Sequence, residues 1–285
     1  MPPRPDADPA ELITLEVAGQ RLALDPRLGG RAVSWQVAGI ELLHRRGVHP
    51  VEHGMYAMAP WAGRIRGNAV DTVHGQAVMP ITYEPWALHG TVLGRPAQVE
   101  EYHATDSSAM AVLGSDRHPE WPWPMAVRMH WILEQDRLST RIVVEALGEP
   151  FPAVVGWHPW FRRSIDGVPA SWSLHAAGML TRDASALPVA FADQVSLGPH
   201  DDAFLVPSAS AQISWPGVLS LDIAASDPWF VVFDELDEAM CLEPQSGPPD
   251  GLVDHPWAPA RLVTPGHPLE HSVTWSIRDL RADRA

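Results

Sequence analysis

His158 stands in Gly156-Trp157-His158-Pro159-Trp160-Phe161, directly after the apolar Ala153-Val154-Val155. The proline forces extended or turn geometry on the histidine, and Gly156 gives backbone freedom just before it. A histidine at a strand end between two tryptophans could be a positioned acid or base, or a partly buried ring bonded to a carbonyl. His89, in Ala87-Leu88-His89-Gly90, offers the same choice with less around it. Glu243 lies in Cys241-Leu242-Glu243-Pro244-Gln245-Ser246-Gly247-Pro248-Pro249. There an apolar run gives way to a rigid loop, which suits either a general base or a strand-end surface acid. Arg64, in Ala59-Pro60-Trp61-Ala62-Gly63-Arg64-Ile65-Arg66, could fork onto vicinal hydroxyls or a phosphate, or close a structural ion pair. Asp201-Asp202-Ala203-Phe204 reads most simply as a solvated turn.

Other chemistries drop out on composition. All 20 basic residues are arginine, so no lysine amine is available for a Schiff base, pyridoxal phosphate or a P-loop. The single Cys241 has no partner for an internal disulfide and belongs to no thiolate cluster. Neither His-Glu-x-x-His nor Gly-x-Ser-x-Gly occurs, so neither a zinc hydrolase nor a nucleophile-elbow serine hydrolase is expected, and no metal is assigned. A net charge of −15 with no basic run speaks against nucleic acid and anionic membranes as partners. No segment approaches the roughly 20 apolar residues that span a bilayer. Residues 1–10 read as a disordered tail rather than a signal peptide, which leaves a cytoplasmic location as the expectation.

The elements that must position these residues are strands. Met125, Val127, Met129, Trp131 and Leu133 alternate with Arg128 and His130 on the opposite side. Val273, Trp275 and Ile277 alternate with Thr274 and Ser276, and Leu219, Leu221 and Ile223 with Ser220 and Asp222. Such alternation marks half-buried antiparallel strands. Trp229–Phe233 is continuously apolar, as a strand covered on both faces would be, and Leu12–Val17 and Ala32–Val37 are further candidates. The 29 prolines and 21 glycines are spread along the chain, which suits many turns and no long helix. The expectation is all-β: one large antiparallel β-sandwich over residues 11–280. Most of the 13 tryptophans are expected in the core, although aromatic faces also stack on sugar rings. The Pro-stiffened His118–Pro124 places its tryptophans either over a pocket or beneath one.

In order and spacing, Ala59–Arg66, Ala87–Gly90, Gly156–Phe161, Asp201–Phe204 and Leu242–Pro249 resemble the aldose 1-epimerase (galactose mutarotase-like) family. Leu28–Leu43 and Val263–Ile277 fit the same pattern. The resemblance implies the supersandwich fold and cofactor-free exchange of the α and β anomers of a free hexose. It makes Glu243 the base on the C1 hydroxyl and His158 the acid at the ring oxygen. Arg64, His89 and Asp201 would hold sugar hydroxyls, with Asp202 the near alternative to Asp201. On this reading Glu243 works ionised and His158 charged, which bounds activity between their two pKa values.

Three positions depart from the family pattern: Gly63 where asparagine usually precedes the arginine, Trp160 for the usual tyrosine, and Gln245 where tryptophan commonly follows Glu-Pro. They leave acid and base in place and bear on the choice of sugar. Two alternatives remain at this stage. A hexose-6-phosphate epimerase would need a cationic site built from Arg66, Arg95, Arg162 and Arg163. A non-catalytic sugar-binding domain would use the same scaffold without turnover.

Overall fold

The computed structural model describes residues 11–281, and the tail expected over 1–10 lies outside the described residues. Among the described residues the regular structure is strands, with two short 3-10 turns at Pro26–Leu28 and Arg66–Asn68. Among the described residues no helix is long and apolar enough to cross a membrane.

Two large antiparallel sheets carry the fold. The 11-stranded sheet runs in the order Ile13–Val17, Gln20–Asp25, Arg31–Val37, Met55–Met58, Gly156–Arg162, Ala239–Gln245, Trp229–Phe233, Asp201–Leu205, Gly178–Arg182 and Pro188–Ala192, with Ile40–Glu41 alongside Arg31–Val37. The 8-stranded sheet runs Ser171–Leu174, Ser210–Trp215, Leu219–Ala225, Leu269–Asp279, Arg137–Ala146, Met125–Glu134, Ser108–Ser115 and Gln98–Ala104. The main core draws on both sheets. Met125, Val127, Met129, Trp131 and Leu133 enter it from the second sheet, as their alternation requires. On the other face of that strand, Arg128 pairs with Glu100 and Glu145. Trp35, Trp61, Trp131, Trp157, Trp215 and Trp275 are fully buried. Burying a large apolar side chain stabilises by about 1.5–3 kcal/mol, so these residues carry much of the sandwich.

Face selection in the 11-stranded sheet positions the site. Successive side chains of a strand point to opposite faces. Trp157 and Phe161, Met240 and Leu242, Phe230 and Val232, and Phe204 and Met179 all enter the main core. Their neighbours Trp160, Cys241 and Ala239 form one smaller cluster on the other face, with Tyr56 and Met58. Leu180, Ala203, Trp229 and Val231 form another. Trp229–Phe233 is apolar throughout because both of its faces are covered. The strand expected from Leu12 begins at Ile13, with Leu12 nearly half exposed.

Trp121 and Trp123 of the Pro-stiffened loop lie beneath the Ala59–Arg66 segment. Trp121 stacks on Trp61 at 5.7 Å, and both loop tryptophans meet Phe151.

Candidate active site

A pocket of about 220 Å³, open to solvent, lies on the face of the larger sheet away from the main core. Arg64, His89, His158, Asp201 and Glu243, distant in sequence, all line it, together with Gly63, Trp160, Arg182 and Gln245.

Glu243 and His158 come from neighbouring strands near the middle of the sheet. The register pairs Gly156 with Gln245 and Trp160 with Cys241, which sets His158 opposite Glu243. His158 Nε2 lies 3.3 Å from Glu243 Oε1, and both residues are at most 5% exposed. The imidazole is stacked between Tyr56 at 4.8 Å and Trp160 at 5.2 Å, and His89 meets its edge at 4.8 Å. Both flanking rings are anchored: Tyr56 Oη and Trp160 Nε1 each donate to the Val51 carbonyl. Ring orientation is therefore fixed by packing as well as by the carboxyl contact.

Burial dominates the electrostatics. It pulls the His158 imidazole down to about 3, and the Arg31 charge adds to the effect. Arg31 is itself buried, with its guanidinium 4.8 Å from the Tyr56 ring centre, and the same ring stacks on His158. Burial pushes the Glu243 carboxyl well above the ordinary carboxylate range; Asp201 adds to this, while Gln245 and Arg64 oppose it. Burial thus works against the expected ordering, an ionised Glu243 beside a charged His158. Taking both groups out of water favours the neutral imidazole and carboxylic acid over the charged pair. The two arrangements hold the same single proton and differ only by its position across the 3.3 Å contact.

His89 adopts φ +62° and Gly90 φ +81°. The His89 amide donates to the Gly63 carbonyl, and the Gly63 amide donates to His89 Nδ1 at 3.2 Å. Because Nδ1 accepts, the ring proton sits on Nε2. Burial, aided by the Arg64 charge, favours the neutral form of this ring as well. His89 thus presents one ring N–H, with its loop position clamped by Gly63. Gly63 has φ +73°, and a Cβ there would come within 3.1 Å of Pro249 Cβ, so this chain has no room for the usual asparagine without rearrangement.

Arg64 Nη1 lies 3.5 Å from Asp201 Oδ2, and Arg182 Nη1 lies 2.7 Å from the same oxygen. Asp201 and Ala203 face the pocket, while Phe204 enters the core. Asp202 is held by Arg182 Nε and His200 Nδ1, each at 3.0 Å, and is not part of the pocket lining. Arg182 was missed from the sequence, and nothing in Gly178–Arg182 marks it.

His158, Cys241 and Glu243 bring three ligand-capable atoms within 4.8 Å of one another. Cys241 is fully buried beneath the pair in an apolar cluster, and burial pushes its thiol well up. In its protonated form it packs there as a small apolar group.

None of the four arginines considered for a phosphate site lines the pocket. Arg66 is held by Asp250, Arg95 by Glu120, and Arg162 donates to the Glu41 carbonyl beside a separate surface cleft. The Arg163 amide donates to the Glu238 carbonyl at the end of its strand.

A family model described as aldose 1-epimerase matches residues 11–276. No curated protein matches the chain. Among solved structures, a galactose mutarotase-like protein from Clostridium acetobutylicum superposes with TM-score 0.82 at 16% identity, covering 96% of this chain and 97% of the other. A candidate aldose 1-epimerase from Escherichia coli K12 gives 0.81 at 19% identity over 95% and 99%. A galactose 1-epimerase from Lactobacillus acidophilus NCFM gives 0.75 at 14% identity over 94% of each. At these identities the likeness carries the fold.

Proposed function

The chain belongs to the aldose 1-epimerase family, and from that premise we propose that it interconverts the α and β anomers of a free hexose in the cytoplasm. The observation that carries this reading is the buried imidazole–carboxyl pair on the pocket floor, ringed by groups suited to hydroxyls. Mutarotation requires one proton to leave the C1 hydroxyl and one to reach the ring oxygen. The ring then closes on the other face of the carbonyl after rotation about C1–C2. Glu243 accepts the first proton and His158 supplies the second. Ring opening starts from the charged arrangement of the pair's one proton, which burial disfavours, and ends in the neutral one. Reaching the charged arrangement from the neutral pair is therefore part of the barrier, and closure restores the starting pair with no external proton donor.

The pocket charges support a neutral sugar over a phosphate ester. Both guanidinium groups on the wall, Arg64 and Arg182, already face carboxylates. His89 Nε2–H donates, the Asp201 carboxylate accepts, and Arg64 bridges, which together suit a polyol. Polarimetry of freshly dissolved α-glucose and α-galactose, corrected for spontaneous mutarotation, tests the activity. Faster exchange of glucose 6-phosphate than of either free sugar would overturn the choice of substrate. Sugar binding measured by calorimetry, with no acceleration of exchange, would favour a binding domain instead.

Arg64→Ala is expected to lower kcat/KM roughly 10- to 100-fold, mostly through KM, as loss of a charge-assisted contact should. Asp201 keeps Arg182 as a partner, so the melting temperature should barely move. Unchanged sugar affinity in this variant would make Arg64 structural.

The pH profile separates the two protonation orders. The active form carries one proton on the pair, which gains a second in acid and loses its only one in base, so kcat/KM traces a bell. With His158 pulled down to about 3 and Glu243 pushed up, the acid limb falls far below 6.5 and the alkaline limb belongs to Glu243. We expect no inflection near pH 6.5 and a neutral His158 ring by nitrogen NMR at pH 5. A His158 resonance titrating near 6.5 would contradict the desolvated pair.

A further inference from the structure

Gln245 is 1% exposed, yet its side chain borders the pocket. It lies two residues beyond Glu243 on the same strand and therefore shares its face. Gln245 Nε2 donates to Glu243 Oε2 at 3.2 Å, while Gln245 Oε1 is buried without a hydrogen-bond partner. A buried amide oxygen left unpaired is costly, and such a group on a pocket wall points to a ligand donor. Room for the side chain is provided by the facing strand. A Cβ on Gly156 would approach Gln245 Cγ to 2.8 Å, so glycine there admits the amide.

The two carboxylate oxygens of Glu243 face different neighbours: Oε1 meets His158 and Oε2 meets Gln245. In the proposed reaction Glu243 lies under the C1 hydroxyl and His158 under the ring oxygen. The anomeric carbon has one other ring neighbour, C2, which then lies on the Gln245 side. We propose that Gln245 reads the 2-hydroxyl of the sugar, accepting a hydrogen bond from it on Oε1 while Nε2 donates to the Glu243 carboxyl, so that substrates are aldoses bearing a free 2-hydroxyl. This inference rests on the mutarotase reading.

The test compares glucose and galactose with their 2-deoxy counterparts in polarimetry of the full chain, using wild type and Gln245→Met. Methionine keeps the volume but removes both polar atoms. Wild type should favour the 2-hydroxy sugar roughly 10- to 100-fold in kcat/KM after correction for the faster spontaneous reaction of deoxy sugars. In Gln245→Met that preference should collapse to within about threefold, mainly through loss of rate on the 2-hydroxy sugar. Gln245→Glu retains an acceptor oxygen and should keep part of the preference, which also covers the case of a methionine variant that fails to fold. Equal losses on both sugars would overturn the contact and leave Gln245 acting on the carboxylate alone. A wild type that accelerates the deoxy sugar as well as its parent would also overturn it, with the mutarotase reading intact. Acceleration of neither sugar would instead defeat the mutarotase reading, and this contact with it.

Discussion

Replacing Glu243 by Gln is expected to slow anomer exchange about 10²–10⁴-fold, with sugar affinity changing far less. Glutamine keeps the size and the hydrogen bonding of the carboxyl but cannot take the C1 proton. It also removes a titratable group from a site where burial disfavours charge, so the variant should melt no lower than wild type. His158→Asn should lose a comparable factor in turnover by removing the proton donor. Unlike Glu243→Gln, it opens a gap between Tyr56 and Trp160 and should lower the melting temperature. The double variant should lose far less than the product of the single losses, because the pair acts as one unit. Polarimetry with calorimetric sugar titration measures both quantities. Near wild-type turnover by Glu243→Gln would take the base out of the mechanism.

Gly90→Ala is the second large effect, and it acts through the backbone. Gly90 bridges to Ala59, has φ +81°, and a Cβ there would run into the Ala59 carbonyl. Gly266 has the same φ of +81° with open space around it. Gly266→Ala should therefore cost only the conformational strain, about 1–2 kcal/mol. Gly90→Ala should cost about 2–5 kcal/mol, because displacement of packed backbone adds to that strain. For a chain of this size the second change should lower the melting temperature by roughly 5–10 °C. Activity should fall as well, since His89 depends on its neighbour's conformation. Equal shifts in the two variants, followed by thermal denaturation, would show that the Ala59 approach is not limiting.

The sandwich was legible where one strand face meets the core and the other meets water, as in Met125–Glu134, and where a strand is covered twice, as in Trp229–Phe233. The choice between Asp201 and Asp202 was also recoverable, since Phe204 enters the core and takes Asp202 to its side of the strand. The pairing of His158 with Glu243 was not legible from spacing, because it depends on which strands are neighbours and in what register. The protonation order escaped for a related reason: burial belongs to the folded molecule, and motifs carry no information about it. Arg182 gave no local signal, and Gln245 was noted only as a departure from the family pattern. The four arginines assembled for a phosphate site were chosen for charge alone, whereas the fold takes none of them to the pocket.

The strict division of faces in the larger sheet limits how this molecule can change its length. A one-residue insertion within Ala239–Gln245 would bring Leu242 and Pro244 to the pocket and send Glu243 and Gln245 into the core. The same holds for Gly156–Arg162, where Trp157 and His158 would trade places. Insertions and deletions in these strands would therefore abolish the chemistry at a single step, whereas substitutions would test it gradually. Length variation is open only to the connecting segments, such as 183–187 and 193–200 beside the Arg182–Asp201 wall and 247–261 beyond Gln245. On the proposed function, lineages of this chain would be expected to acquire new sugar preferences by gaining and losing loop residues, around a His158–Glu243 pair whose strand lengths stay constant.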